Sequence, residues 1–403
     1  MQNDLKYELA VETIDRNDLQ ALSDWMLQDQ IPQLTMGSLT KEFESRWNNW
    51  LGRKYSIACN SGSSANLLMY SVLREHYDNK LLRNDIVVVP STGWATTIMP
   101  AIQLGFRPVM CEADPDTLGL DLNYLEDLLK RHQPATVIMV QVLGIPHKMN
   151  ELMALKNRHG FLLLEDACAS VGSSYEGQKV GIFGDMASFS FYFGHQSSTI
   201  EGGMVSTDNR AFYNTLAMLR SHGWGKDTES DFHEGMRSSH DVDNFHSPFV
   251  FYLPGYNLRL TDLQSFLGIR QIDKMEWVIR TRFANHLAYS KKLEDLFFIQ
   301  KYTPRSIICS IHFAALAQSV EERKVIVAAL EENHIETRLF TAGNLGRHPF
   351  WTRKYGLVSF PMADKVYFCG FFLPNNTSLK IKDVHFISDV VRTSVINFRE
   401  EKQ

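Results

Sequence analysis

Three short stretches of the chain carry residue types that could do chemistry. The first is Asn60-Ser61-Gly62-Ser63-Ser64, which stands between an apolar run and a helix-like stretch. Backbone N–H groups and hydroxyls at a helix N-terminus can cradle a phosphate, and Ser-Gly-Ser before a helix can equally be an ordinary turn and cap. The second is Asp166, directly after the apolar run at 161–165. A carboxylate at a strand end can pair with a cationic ring nitrogen such as the pyridinium of pyridoxal phosphate; it can also cap a helix or face solvent. The third is the segment 190–203, in which His195 precedes a polar turn and then Gly202-Gly203. Most single histidines are structural, and this chain has fourteen, but an imidazole titrates near neutrality and can move protons. The order joins the three into one candidate site: a phosphate turn, then a strand-end carboxylate, then a polar loop with a proton-transfer group.

Such groups act together only if elements bring them to one edge. Apolar runs at 55–59 (YSIAC), 86–90 (IVVVP), 136–144 (TVIMVQVLG), 161–167 (FLLLEDA), 186–193 (MASFSFYF) and 202–208 (GGMVSTD) predict strands. Helix-like stretches lie between them, among them 65–75, 95–104 and 147–158. This alternation predicts an α/β fold with a mostly parallel central sheet covered on both faces, where ligands bind outside the carboxyl ends of the strands. Residues 1–35 read as a polar lead-in with one helix near 18–27, and 36–272 as a large cofactor-binding α/β domain. A helical stretch at 262–296 then leads into a smaller C-terminal α+β domain, 273–403, with no Pro/Gly linker at the boundary. The polar, histidine-rich stretch 223–249 predicts a functional loop or a disordered segment.

Composition narrows the function classes. The 403 residues, 44% of them hydrophobic, suffice for a large core. A net charge of −5 without a basic block points away from nucleic acid. The five cysteines are scattered and never spaced C-x-x-C, which argues against a disulfide framework or a zinc site. The acidic, polar start lacks the features of a signal peptide, and no apolar run approaches membrane-spanning length, so a reducing, cytoplasmic setting without membrane contact is expected.

The residues also resemble a known family, the DegT/DnrJ/EryC1/StrS sugar aminotransferases. The resemblance runs through most of the chain, on TMGSLTKEFESRW (35–47), NSGSSANLL (60–68), PSTGWATTIMPAI (90–102), LLEDACASVG (163–172), SFSFYFGHQSSTIEGGMVSTD (188–208), LRSHGWG (219–225) and LPGYNLRLTDLQSFLG (253–268). It implies the aspartate-aminotransferase-like fold of pyridoxal 5'-phosphate (PLP) enzymes. It implies that Gly62, Ser63 and Ser190 contact the cofactor phosphate, that Trp94 stacks on the pyridine ring, and that Asp166 keeps the ring nitrogen protonated. It further implies that Asn257 reaches the phosphate of a neighbouring subunit, hence a homodimer with composite active sites. His222 and Arg259 are candidate substrate contacts on the same basis. Ala169 departs from the pattern, since the family usually has a polar residue there to meet the cofactor's phenolic oxygen; Ser170 is a possible substitute.

Counting back from Glu201-Gly202-Gly203, the family's cofactor-binding lysine falls on His195, and no lysine occurs between Lys179 and Lys226. Histidine cannot make that covalent bond. Within the family the exchange resembles the sugar 3-dehydratases. One kind holds an iron–sulfur cluster on cysteines partly located after the segment written here SHGWG, and residues 222–258 contain no cysteine. The other kind needs no metal and acts on GDP-4-keto-6-deoxymannose in colitose synthesis. That resemblance implies a nucleotide-sugar substrate, with glutamate converting PLP to pyridoxamine phosphate (PMP) and His195 acting as acid and base while carbon 3 loses its hydroxyl. Two alternatives stay open: a sugar 4-aminotransferase with an unusual base, and a non-catalytic relative that binds the sugar nucleotide.

Overall fold

The computed structural model describes residues 5–79 and 82–402. Seven strands build the central sheet: β1 (Tyr55–Cys59), β2 (Ile86–Pro90), β3 (Arg107–Cys111), β4 (Thr136–Val140), β5 (Leu162–Asp166), β8 (Met186–Ser190) and β9 (Gly203–Thr207), in the order β1-β9-β8-β5-β4-β2-β3. The short ribbon of β6 (Ser174–Tyr175) and β7 (Gln178–Lys179) lies outside this sheet, as does the antiparallel pair β10 (His312–Leu316) and β11 (Gly370–Pro374). The strands are short and buried over most of their length, as a sheet covered on both faces requires, and β2, β4 and β5 are rich in valine, isoleucine or leucine.

Strand direction follows from connection length. Strands that run parallel need a crossover, and helices such as Gly62–Asp78, Leu122–His132 and Met149–His159 supply it. Only a loop joins β8 to β9, so that pair is antiparallel, with Ser190 opposite Gly203; β9 also runs against β1, with Gly203 opposite Cys59. The carboxyl ends of β1, β2, β4, β5 and β8 therefore share one edge with the start of β9. A Cβ on Gly203 would lie 2.2 Å from the Ser61 carbonyl oxygen, so the second glycine of the pair lets the phosphate-type turn close over this strand.

Apolar clusters pack on both faces. Leu68, Leu73, Val87, Ile138 and Leu216 belong to one, and Val88, Leu125, Val137, Met139 and Leu152 to another. A third forms the core of the C-terminal part, where Tyr289, Phe313, Phe371, Val384 and Val391 join the β10–β11 pair to the helices Val320–Glu332 and Ile381–Glu401. The 32-residue helix Asp262–Leu293, started by a Thr261/Gln264 capping box, packs on the helices Ser38–Leu51 and Ile381–Glu401. Positions 272 and 273, where the sequence suggested a domain division, lie inside this one helix. No helix among the described residues is long and apolar enough to cross a membrane.

Three local expectations change. The stretch 95–104 is a 3-10 turn, Ala95–Thr97, followed by a short helix, Met99–Gln103, because Pro100 can stand only in a first helical turn. The polar stretch 223–249 contains the helix Ser230–Ser239, whose start is held by ion pairs from Arg210 to Glu229 and Asp231. Strands β3 and β11 were not anticipated.

Candidate active site

At the shared strand edge lies a cavity of about 380 Å³, lined from the sheet side by Gly62, Ser63, Trp94, Asp166, Ser190 and His195. The C-terminal part closes it with Ile311, Arg338, Thr341 and Phe372. Six of the residues singled out in the sequence thus meet in one space.

The floor is built on β5. Successive strand residues face opposite sides, so Glu165 and Asp166 part company. Glu165 is fully buried and accepts from the backbone N–H groups of Gly181 (2.6 Å), Phe183 and Gly184 (3.2 Å each) and from Gln141 (2.8 Å); it is structural. Asp166 faces the cavity. Its Oδ2 accepts from Asn66 Nδ2 at 2.9 Å and Thr97 Oγ1 at 2.7 Å, and its Oδ1 from the backbone N–H of Cys168 at 3.1 Å. Ser188 Oγ donates to Asn66 Oδ1 at 2.7 Å, which fixes the Asn66 amide with its N–H toward Asp166. Every observed partner is a donor, as a carboxylate needs.

One wall is the start of the helix Gly62–Asp78. Ser61 caps it, accepting from the Ser64 N–H at 3.0 Å, and the N–H groups of Gly62 and Ser63 have no partner within the helix. A Cβ on Gly62 would lie 2.5 Å from Ser190 Cβ, so only glycine lets the Ser190 hydroxyl sit beside this helix end. Trp94, 58% exposed, stands at the rim.

His195 lies in the loop between β8 and β9. Its N–H donates to the Tyr192 carbonyl at 2.9 Å, and its carbonyl accepts from Arg282 Nη2 at 3.1 Å. The ring packs edge-on to Tyr192, with 5.8 Å between centroids. Burial pushes its pKa down to about 4; Arg282 and Arg338 act in the same sense, and a Ser190 backbone hydrogen bond and Asp166 oppose them. The imidazole is therefore neutral near pH 7, and its Nδ1 is buried without a partner. Arg338 contributes a guanidinium that hydrogen-bonds His312 Nε2 at 3.1 Å and has no ion-pair partner among the described residues.

These features fit a phosphorylated pyridine cofactor. A helix end with free N–H groups and two serine hydroxyls suits the phosphate. An acceptor-only carboxylate suits a protonated ring nitrogen. The unpartnered imidazole nitrogen of His195 suits a group that exchanges protons, and no lysine lines the cavity.

Other expected residues fall elsewhere. Asn257, His222 and Arg259 are absent from this cavity and cluster with one another: Arg259 Nε donates to Asn257 Oδ1 at 3.0 Å, and its Nη2 lies 3.4 Å from His222 Nε2. Beside them is an exposed aromatic group in which Trp224 stacks on Phe251 at 5.4 Å and meets Phe249 edge-on. Ser170 does not replace the missing polar group at Ala169. Its hydroxyl is fully buried, donating to the Gln141 carbonyl and accepting from the Gly144 N–H at 3.0 Å. Sequence reading missed Asn66, Thr97 and Arg338. Asn66, a buried polar residue one turn into an apolar helix, left a signal; Arg338 left none.

The chain matches the DegT/DnrJ/EryC1/StrS aminotransferase family over residues 12–392. It is 32% identical over 343 residues to the GDP-4-keto-6-deoxy-D-mannose 3-dehydratase of Yersinia pseudotuberculosis, covering 84% of this chain and 86% of that protein. It is 28% identical over 394 residues to the protein of the same name from Escherichia coli O55:H7, covering 96% and 100%. A crystal structure of GDP-4-keto-6-deoxymannose-3-dehydratase with a trapped PLP-glutamate geminal diamine superimposes with a TM-score of 0.86 at 27% identity, over 96% of this chain and all of that one.

Proposed function

The chain belongs to the DegT/DnrJ/EryC1/StrS aminotransferase family, and from that premise we propose that it is a PLP-dependent 3-dehydratase of a nucleotide-linked 4-keto-6-deoxyhexose, GDP-4-keto-6-deoxymannose, with glutamate as co-substrate. The observation that carries the reading is the lysine-free cavity that His195, Asp166 and the Gly62 helix end line together. Relatives bearing the 3-dehydratase name, matched over nearly the whole chain, support it.

Bound PLP would supply an electron sink for amino-group exchange with glutamate and for loss of the sugar's carbon-3 hydroxyl. The protein's share is binding, orientation and proton transfer. Gly62 and Ser63 N–H groups, with the Ser63 and Ser190 hydroxyls, hold the phosphate. Asp166, itself held by Asn66, Thr97 and the Cys168 N–H, keeps the ring nitrogen protonated. Trp94 covers the ring from the rim. His195 starts neutral and accepts a proton as base; as the conjugate acid of a weak base it then gives that proton readily to the departing carbon-3 hydroxyl. A lysine here would compete for the cofactor aldehyde. The overall conversion balances as keto-sugar plus glutamate giving the 3-deoxy keto-sugar, 2-oxoglutarate and ammonia.

We assign Asn257, Arg259 and His222 to the site of a second copy in a homodimer. Support comes from their absence from the lining of this chain's own cavity and from the exposed Phe249 and Phe251 beside Trp224, which a second subunit would cover.

The test is mass spectrometry of the sugar after incubation of pure protein with GDP-4-keto-6-deoxymannose, PLP and glutamate. Loss of one oxygen with release of ammonia is expected, and His195→Asn should abolish it. An amino group in place of the keto oxygen would make the protein an aminotransferase instead. An unchanged sugar, or full activity in His195→Asn, refutes the reading.

A further inference from the structure

His195 is held from a distant part of the chain by a residue whose burial is otherwise hard to explain. Arg282 lies inside the helix Asp262–Leu293 and is 1% exposed. Burying a guanidinium costs several kcal/mol unless its N–H groups are satisfied, and carboxylates usually do this. Here main-chain carbonyls do so for Nη1 and Nη2, while Nε is buried without a partner among the described residues. Nη1 donates to Ser310 and Ile311 at 3.1 Å each and to Asn375, all in the C-terminal part, and Asn375 returns a hydrogen bond from its side chain to the Arg282 carbonyl at 3.2 Å. Nη2 donates to the carbonyl of His195 at 3.1 Å.

The division of labour within the guanidinium is informative. Nη1 alone, with two N–H groups shared among three carbonyls, makes every guanidinium contact to the C-terminal part, so a residue that merely pinned the helix to that part would need no Nη2. A planar fork with fixed angles between its donors sets the two groups of acceptors in one geometry, which a flexible ammonium cannot do. The next residue of the loop is held by the neighbour of Ser310 and by the segment after β5: Gln196 Nε2 donates to the Cys309 carbonyl at 2.6 Å and the Ala169 carbonyl at 2.7 Å.

We propose that Arg282 is a positioning residue for the dehydration, holding the His195 peptide through Nη2 and indexing it to the C-terminal wall of the cavity through Nη1. This rests on the acid–base role given to His195 above. The charged and titratable groups facing the imidazole are Arg282 from the long helix, Asp166 from the end of β5, Tyr192 from its own loop, and Arg338 and His312 from the C-terminal part. Arg282 and Arg338 favour the neutral ring and Asp166 the charged one.

The test compares Arg282→Lys and Arg282→Met in the full-length, PLP-loaded protein. One readout is the titration of the His195 ring by NMR, the other kcat and KM for the keto-sugar. Lys retains the cation but not the fork, so the titration midpoint should stay low while kcat falls roughly 10- to 100-fold with KM little changed. Met removes both, so kcat should fall at least as far and the midpoint should rise by about one unit. A Met variant that folds with the wild-type midpoint and kcat within about twofold of wild type overturns the inference. If Met does not fold, wild-type kcat in the Lys variant overturns it. A purely structural pin would lower thermal stability in both variants and leave the kcat per folded molecule alone. If the wild-type protein does not dehydrate the sugar, the functional reading fails, and the midpoint in the Met variant still reports whether Arg282 governs His195.

Discussion

Replacing Asp166 by asparagine changes the site by one atom and should cost far more than its size suggests. The carboxylate accepts from three donors, Asn66 and Thr97 on Oδ2 and the Cys168 N–H on Oδ1. An asparagine must point its NH₂ one way. Toward Oδ1 it faces the backbone N–H of Cys168, a donor that cannot turn. Toward Oδ2 it faces Asn66, whose amide is held by Ser188, and Thr97. The second arrangement is reachable if Asn66 flips and the Thr97 and Ser188 hydroxyls rotate, so the variant should fold. It loses the negative charge that the proposed function sets opposite the pyridine nitrogen. A hydrogen bond to a charged group contributes about 1.5–3 kcal/mol, and each 1.4 kcal/mol is tenfold in rate. Glutamate-dependent loss of the PLP aldehyde absorbance should therefore slow by roughly 10- to 200-fold. Stopped-flow absorbance at saturating glutamate measures this, with a melting curve to confirm folding. A rate within about threefold of wild type would show that Asp166 is not the ring-nitrogen partner.

Acid should destabilise the protein well above the carboxylate range. Burial pushes His286 down to about 4 and His312 well below its ordinary value, so the folded state prefers both neutral while the unfolded chain protonates them near 6.5. Stability is full above about pH 6.5 and falls toward pH 4 by up to roughly 1.4 kcal/mol per unit for each histidine; urea unfolding with the same midpoint at pH 7.5 and 5.5 would contradict this. Gly62→Ala puts a methyl 2.5 Å from Ser190 Cβ and 3.0 Å from Ser190 Oγ and Cys168 Sγ. Ser190 must move off the helix end, so PLP affinity, followed by fluorescence titration, should drop about tenfold or more at an overpacking cost of roughly 1–3 kcal/mol; unchanged affinity would remove Gly62 and Ser190 from the phosphate site.

The sequence shows the sheet side of the site well because each contribution is local. The runs ending at Cys59, Asp166 and Ser190 are apolar until the strand ends, and polarity then marks where the chain leaves the sheet. Strand β3 escaped because Arg107 and Pro108 interrupt its apolar texture, which an edge strand tolerates. The C-terminal wall is illegible for a different reason. Arg282 meets His195 across 87 residues and Arg338 meets His312 across 26, and neither residue stands in a pattern that announces the contact. Asn257, Arg259 and His222 carry a family resemblance in sequence, yet within one chain they bond to one another and are absent from the lining of the cavity.

A cavity without lysine has a consequence for supply as well as for catalysis. A covalently tethered cofactor stays with its protein through dilution. Here occupancy follows free cofactor concentration, and because only the folded chain offers Asp166 and the Gly62 helix end in one place, binding and folding are linked by mass action. At a hundredfold excess over Kd the linkage stabilises the fold by about 2.7 kcal/mol, and that stabilisation vanishes as the cofactor washes out. The abundance of the folded protein in a cell would then rise and fall with the vitamin B6 pool, making the chain a consumer of that pool and a reporter of its size.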